Sequence, residues 1–282
     1  MRWSIPSGVL DVSRPLLVGI LNATPDSFSD GGKFFDAELA AAHALRLIEE
    51  GADILDLGGE STRPGAQAVS AEEELRRVLP VLKKIKTACA VPVSIDTTKA
   101  EVARACLDEG ADIINDVSGL AVSGAALAAL VRASGAGLIL MHRRGNPVTM
   151  QSLAVYGDVA GEVCRELEAA LEAAEKFGIS REQIVLDPGL GFAKNTEQNF
   201  QLLAELERFS ELGRPLLIGP SRKSFLAPTP DVPPAERIFG TAAAVAISYL
   251  KGARLFRVHD VRAMREVLQI CQAAEGVKHV GT

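Results

Sequence analysis

Residues 16–32 read LLVGILNATPDSFSDGG: an apolar run with one glycine, Leu16–Leu21, gives way at Asn22 to a loop of amide, carboxylate and hydroxyl groups around Pro25 and the pair Gly31-Gly32. The run suits a buried strand and is too short for a typical helix. Beyond the loop, Asp36–Gly51 sets Ala40, Ala44, Leu47 and Ile48 on one face at helical spacing before a glycine stop. The stretch therefore reads as strand, polar loop, helix. Solvated turns are also rich in Asp, Ser and Gly, but a loop with this inventory suits chemistry carried on a scaffold.

The unit recurs along the chain. Short runs of branched aliphatics at Ile54–Leu57, Val93–Ile95, Ile113–Ile114, Leu138–Met141, Ile184–Leu186, Leu216–Ile218 and Leu255–Val258 alternate with helical patterns such as Val78, Leu82 and Ile85. Counting the first strand, there are about eight βα units in 282 residues, the size of a TIM (β/α)8 barrel; a doubly wound open sheet is the alternative. Nothing resembling a linker divides the chain, so residues 1–282 are expected to form one barrel domain. Met1–Ser13, with Trp3, Ile5, Val9 and Val12 around Pro6 and Gly8, is expected to be a short N-terminal hairpin that covers something.

The residues just beyond the strands point to a site. They are Asn22, Glu60 to Arg63, Asp96, Asn115, His142, Asp187, Ser221 to Lys223, and Arg257 with His259. The turns entering strands, Gly51-Ala52-Asp53 and Gly110-Ala111-Asp112, look instead like helix caps. Any one polar strand end could be a satisfied buried group. Eight together form a ring at the carboxyl ends of the strands, where barrel active sites lie.

Composition narrows the function. Nearly half the residues are hydrophobic, and the net charge of −6 argues against a nucleic-acid surface. The four cysteines are far apart, which fits a reducing compartment without structural disulfides. No signal segment is evident and no apolar run approaches the ~18 residues of a membrane span, so a cytoplasmic protein is expected.

The ring divides into two chemistries. Asn22, Ser61, Thr62, Arg63 and His259, with Ser221 and Arg222 nearby, suit phosphate oxygens and an accompanying hard cation. Asp96, Asn115 and Asp187 suit the donor-rich edge of a heterocycle such as a pterin or guanine, with metal binding by Asp96 and Asp187 as the competing reading. Only four histidines are present and no HExxH motif occurs, so zinc catalysis is not expected; His43 and His279 read as bystanders. Phe192, within DPGLGFAK at 187–194, offers a ring face or a core side chain. Lys223 could stack, pair with an anion or form a Schiff base.

These residues, in this order, resemble the dihydropteroate synthase family over nearly the whole chain. The matching motifs are GILNATPDSFSDGG at 19–32, DLGGESTRPGA at 56–66, SIDT at 94–97, INDVSG at 114–119, LMH at 140–142, DPGLGFAKN at 187–195, IGPSRKSF at 218–225 and RVHDV at 257–261. The resemblance implies a TIM barrel that condenses 6-hydroxymethyl-7,8-dihydropterin pyrophosphate with para-aminobenzoate, giving 7,8-dihydropteroate and pyrophosphate. It implies a pterin set of Asp96, Asn115, Asp187, Lys223 and Arg257, and a pyrophosphate set of Asn22, Thr62, Arg63 and His259, with Asn22 also helping to hold Mg²⁺. Phe28, Thr62, Pro64, Phe192 and Ser224, beside Arg63 and Lys223, would shape the para-aminobenzoate pocket. Arg63, Lys223 and His259 would carry the catalysis, with Asp30 and Asp26 steadying a pterin-methyl cation or organising the first loop. A homodimer and a sulfonamide target are also implied; the small-residue stretch Gly240–Ala246 is consistent with close helix packing.

Three positions depart from the family pattern: Ala193 where a third glycine is common, Pro220 before the SRK triplet, and Arg143 where an uncharged residue is usual. The rival readings are a methyltetrahydrofolate-binding methyltransferase domain, a Schiff-base aldolase using Lys223, and a non-catalytic pterin-binding protein. Arg63, the SRKS loop and His259 favour the synthase.

Overall fold

The aliphatic runs fold as the strands of one parallel barrel. The structure is a computed structural model and describes residues 1–23, 37–62, 65–229 and 231–278. After an antiparallel hairpin of β1 (Arg2–Ile5) and β2 (Gly8–Asp11) come β3 (Leu16–Asn22), β4 (Ile54–Gly58), β5 (Val93–Asp96), β6 (Ile113–Asp116), β7 (Gly137–Met141), β8 (Ile184–Asp187), β9 (Leu217–Ile218) and β10 (Leu255–Val258). Their spatial order is β8-β7-β6-β5-β4-β3-β10-β9. A parallel bridge from Leu186 to Leu216 joins β8 to the segment entering β9 and closes the ring, so the open sheet is excluded. The barrel helices are α1 (Ala37–Glu49), α2 (Ala71–Ala88), α3 (Ala100–Asp108), α4 (Gly124–Ser134), α5 (Val159–Lys176), α6 (Thr196–Ala204), α7 (Ile238–Leu250) and α8 (Val261–Lys278).

Helix starts and stops come from local chemistry. Ser70 caps α2 by accepting from the Glu73 amide, ahead of Glu72, Glu73 and Glu74 in the first turn, where the helix dipole favours acids. Asn195 and Gln198 form a capping box on α6. The buried face of α2 is Val78, Val81, Leu82 and Ile85, the 3.6-residue spacing of a helix laid on a sheet. The Gly-Ala-Asp turns do more than cap helices: Asp53 Oδ2 accepts from the Leu17 amide at 2.8 Å and Asp112 Oδ2 from the Val93 amide at 3.0 Å. Each aspartate thereby pins the start of a barrel strand at the end away from the polar ring.

Two-residue alternation sorts the barrel interior into layers. At the amino ends of the strands, Leu16, Val18, Ile54, Ile113, Ile139, Val185, Leu217 and Leu255 pack with Trp3, Ile5 and Val12. The hairpin is therefore the plug of the barrel floor. Trp3 is fully buried and its Nε1 donates to the Gln183 carbonyl at 2.7 Å. Gly137 accommodates it, because a Cβ there would lie 2.8 Å from Ile5 and 3.0 Å from the Trp3 ring. Val9 departs from the expectation: it is 60% exposed, and Leu10, the next residue, packs on the floor instead. Above the apolar floor, the inward positions turn polar.

Candidate active site

The polar layer begins with a row set by strand register: Asn22 stands opposite Gly58, Gly58 opposite Asp96, and Asp96 opposite Asn115. Arg257, from β10, reaches across the barrel. Its Nε donates to Asp56 Oδ2 at 2.5 Å and its Nη2 to Asp96 Oδ2 at 2.9 Å, while Asn115 Nδ2 donates to the same Asp56 oxygen at 3.1 Å. One cation thus faces two buried carboxylates. The remaining oxygens, Asp56 Oδ1 and Asp96 Oδ1, are buried with no hydrogen-bond partner among the described residues.

Burial dominates the electrostatics. It pushes the Asp96 carboxyl up to about 7 against the pull of Arg257, with Asp56 adding to the rise. Asp187, at the tip of β8, is pushed up to about 6 by burial although its Oδ1 accepts from the Gly189 amide at 2.7 Å. Burial acts against the Arg257 charge too, but Asp56 and Asp96 outweigh it and raise its pKa. The Asp96–Arg257 bond places a guanidinium where the competing reading puts a metal. Among the described residues, no three His, Cys, Asp or Glu side chains converge as a metal site.

Beside this layer, Lys223 Nζ lies 4.2 Å from the centroid of the Phe192 ring, a cation–π contact. Gly191, at φ 81, makes room for it: a Cβ there would be 3.1 Å from Lys223 Cδ. Phe192 is buried in a satellite cluster with Val117, Met141, Met150 and Ala193, so one face is core and the other meets Lys223. Ser224 is exposed at the start of a 3-10 turn, and Thr62 is half-buried. His259 Nδ1 lies 2.9 Å from Ser221 Oγ, which also accepts from the His259 amide at 3.1 Å. The Ser221 hydroxyl thereby fixes the orientation of the His259 imidazole. Arg222 is held by Asp260, to which its Nη2 donates at 2.7 Å and its Nε at 3.1 Å. Phe28, Asp30, Asp26, Arg63, Pro64 and His279 lie outside the described residues.

Residues 18–259 match the family described as pterin binding enzyme. The dihydropteroate synthase of a Synechocystis species is 48% identical over 92% of this chain and 90% of its own length. The chain belongs to the dihydropteroate synthase family. Among solved structures, dihydropteroate synthase from Xanthomonas albilineans with 4-aminobenzoic acid is 45% identical, with a TM-score of 0.90 over 98% of this chain and 99% of that one. The same enzyme in complex with 7,8-dihydropteroate gives 44% identity and a TM-score of 0.85 over 95% and 96%.

Within this member of the dihydropteroate synthase family, two features of the site were not singled out from sequence. Asp56 lies inside the run Ile54–Leu57; a carboxylate flanked by buried aliphatics is the one available clue, because such a residue is rarely buried without a partner. Lys194, 2% exposed, sits in the quoted DPGLGFAK motif, yet nothing in its spacing distinguishes it from a surface lysine.

Proposed function

We infer that the chain is a dihydropteroate synthase, which condenses 6-hydroxymethyl-7,8-dihydropterin pyrophosphate with para-aminobenzoate to give 7,8-dihydropteroate and pyrophosphate. The observation that carries this reading is the pair of unpartnered buried oxygens, Asp56 Oδ1 and Asp96 Oδ1, beside Asn115 and Asp187. Buried acceptors left unmatched are costly, and a pterin presents the matching N–H donors on one flat edge. Asp96, Asn115 and Asp187 bind that edge, Arg257 and Lys223 line the ring, and Thr62, Arg63 and His259 take the diphosphate. Phe192, Ser224, Pro64 and Phe28, with Thr62 and Lys223, form the para-aminobenzoate pocket.

In the reaction, the bond from the pterin methylene carbon to the diphosphate oxygen breaks and its electron pair leaves with pyrophosphate. The aniline nitrogen forms the new C–N bond and releases a proton to solvent. Charge builds on the leaving group and the pterin, so fixed cations matter more than a strong base. The His259 imidazole and Arg63 meet the departing anion, while Asp30 and Asp26 steady the cation. Lys223 binds rather than forming an imine.

Mg²⁺ fits this site only as a partner of the substrate. Asn22, at the tip of β3, offers a single amide oxygen, the kind of sparse protein donor set that Mg²⁺ accepts when phosphates and waters complete its shell. Bound there, it would neutralise charge on the leaving diphosphate. The chain is read as one domain, because the hairpin packs into the barrel floor, and as a homodimer, because Phe239 and Leu250 on α7 and Ile270 on α8 are 85%, 61% and 72% exposed. A cytoplasmic location fits the unpaired cysteines; among the described residues no helix is long and apolar enough to cross a membrane. The test is the condensation itself: purified chain, both substrates and Mg²⁺ should release pyrophosphate and form dihydropteroate, with a sulfonamide competing against para-aminobenzoate. Pterin binding without pyrophosphate release would refute it.

A further inference from the structure

The loop after β8 holds a lysine for which the condensation has no use. Lys194 Nζ lies 3.0 Å from His142 Nδ1, 3.0 Å from the Gly189 carbonyl and 2.9 Å from the Phe192 carbonyl. An ammonium carries three N–H donors, so all three acceptors are matched. His142 comes from the end of β7, and its Nε2 lies 2.9 Å from Glu166 Oε2 on α5. The His142 contact, seconded by Arg144, holds the Glu166 carboxyl down at about 2, so Glu166 accepts, Nε2 keeps its proton, and Nδ1 is the acceptor for Lys194. The lysine therefore bridges the loops after β7 and β8.

The segment it holds is strained. Ala193 has φ 49, a left-handed angle that residues with a Cβ adopt only when their surroundings enforce it. It comes directly after the carbonyl of Phe192 that Lys194 grips. Gly189, the other gripped carbonyl, is at φ 70, and a Cβ there would lie 2.1 Å from the His142 carbonyl. The Phe192 ring between them meets Lys223.

We propose that Lys194 is a positioning residue for the para-aminobenzoate pocket: it ties the Gly189 and Phe192 carbonyls to His142, keeps Ala193 left-handed, and so aims the Phe192 ring at Lys223. The proposal rests on the reading of Phe192 as a pocket residue. Lys194 itself touches no reacting atom. Burial pulls its pKa down to about 7 against the pull of Asp187 and Glu166, with Arg144 and Lys223 reinforcing the drop. His142 is depressed to about 4 by burial and stays neutral, so the proton lost near neutrality is the lysine's. A neutral amine has two N–H groups for three acceptors, and the clamp loses one arm.

The test measures KM for each substrate, with kcat, across pH 7 in wild-type chain, Lys194→Met, Ala193→Gly and the double variant. Lys194→Met should raise KM for para-aminobenzoate by about 10- to 100-fold, the worth of a charge-assisted hydrogen bond, with no comparable change for the pterin diphosphate. Ala193→Gly should recover part of that loss in the double variant, because glycine takes the left-handed angle without strain. In wild type, KM for para-aminobenzoate should climb as pH rises through about 7, and Ala193→Gly alone should flatten the climb, which decides the matter even if Lys194→Met does not fold. Equal rises in both KM values, no recovery with glycine, or a flat wild-type profile would each overturn the clamp. A wild-type chain that releases no pyrophosphate would overturn the functional reading as well, a failure distinct from these.

Discussion

Asp96→Asn should stabilise the ligand-free protein and damage its function. Asp96 is 6% exposed, and burial lifts its carboxyl from 3.8 to about 7 despite the Arg257 contact at 2.9 Å. Below 3.8 the folded and unfolded chains both hold the proton. Between 3.8 and about 7 only the folded chain holds it, so this group's contribution to stability falls as pH rises through that window and reaches its low plateau above it. At about 1.4 kcal/mol for each pH unit, the ceiling on that cost is about 4 kcal/mol. An asparagine keeps the shape without the charge and can keep its oxygen toward Arg257, but its NH2 then takes the place of the unpartnered Oδ1 as a buried donor without an acceptor, which offsets part of the gain and leaves about 2 kcal/mol. For a chain of this size that is a rise in Tm of ~5 °C above pH 7, falling as pH drops through the window and turning into a loss near pH 4, where wild-type Asp96 is neutral too and only the cost of the amide remains. Pterin binding should move the other way, weakening by about 10- to 100-fold as a charged acceptor is lost. Thermal melts from acid to alkaline pH and calorimetry with a pterin check both halves. A variant less stable than wild type at pH 8, or one with undiminished pterin affinity, would refute the claim that this carboxylate is kept at the expense of stability for the sake of the ligand.

Three further outcomes are expected. Trp3→Ala should cost about 3–5 kcal/mol by opening the barrel floor, with both KM values unchanged in the surviving enzyme; an unaltered urea midpoint would sink the plug. Arg257→Met leaves Asp56 and Asp96 without their cation and should destabilise by about 3–5 kcal/mol where Asp96 is ionised, less as pH falls toward about 7, because without the guanidinium that pulls its pKa down Asp96 takes up its proton above that value; a loss that does not depend on pH contradicts the pairing. Arg63→Ala should lower turnover while barely affecting the binding of a pterin that lacks phosphate, and equal losses in both assays would count against its role with pyrophosphate.

The features legible in the sequence are those that depend on alternation and order. Leu16–Leu21 announces a strand because its residues are apolar on both faces, and Asn22 marks where the inward positions leave the floor for the mouth. The same logic places Asp96, Asn115 and Asp187 at the mouth, since Asp96 and Asp187 end four-residue strands and Asn115 is the last residue but one of another. Hidden from it are pairings that exist only once the barrel closes. Arg257 meets Asp96 across 161 positions of chain, and Lys194 meets His142 across 52. Nor does alternation alone report that Val9 faces outward, because a four-residue hairpin strand has too few positions to fix its phase. The two hidden contacts share a consequence. Each fixes a buried ionisable group beside a surface that a ligand would cover, and each group sits near neutrality, Asp96 at about 7 and Lys194 at about 7. A ligand that supplies donors to Asp96 favours its ionised form, whereas the clamp needs Lys194 protonated. Pterin binding and aminobenzoate binding should therefore respond to pH in opposite directions, the first improving and the second weakening as pH rises through 7, and the condensation should be fastest where the two profiles cross.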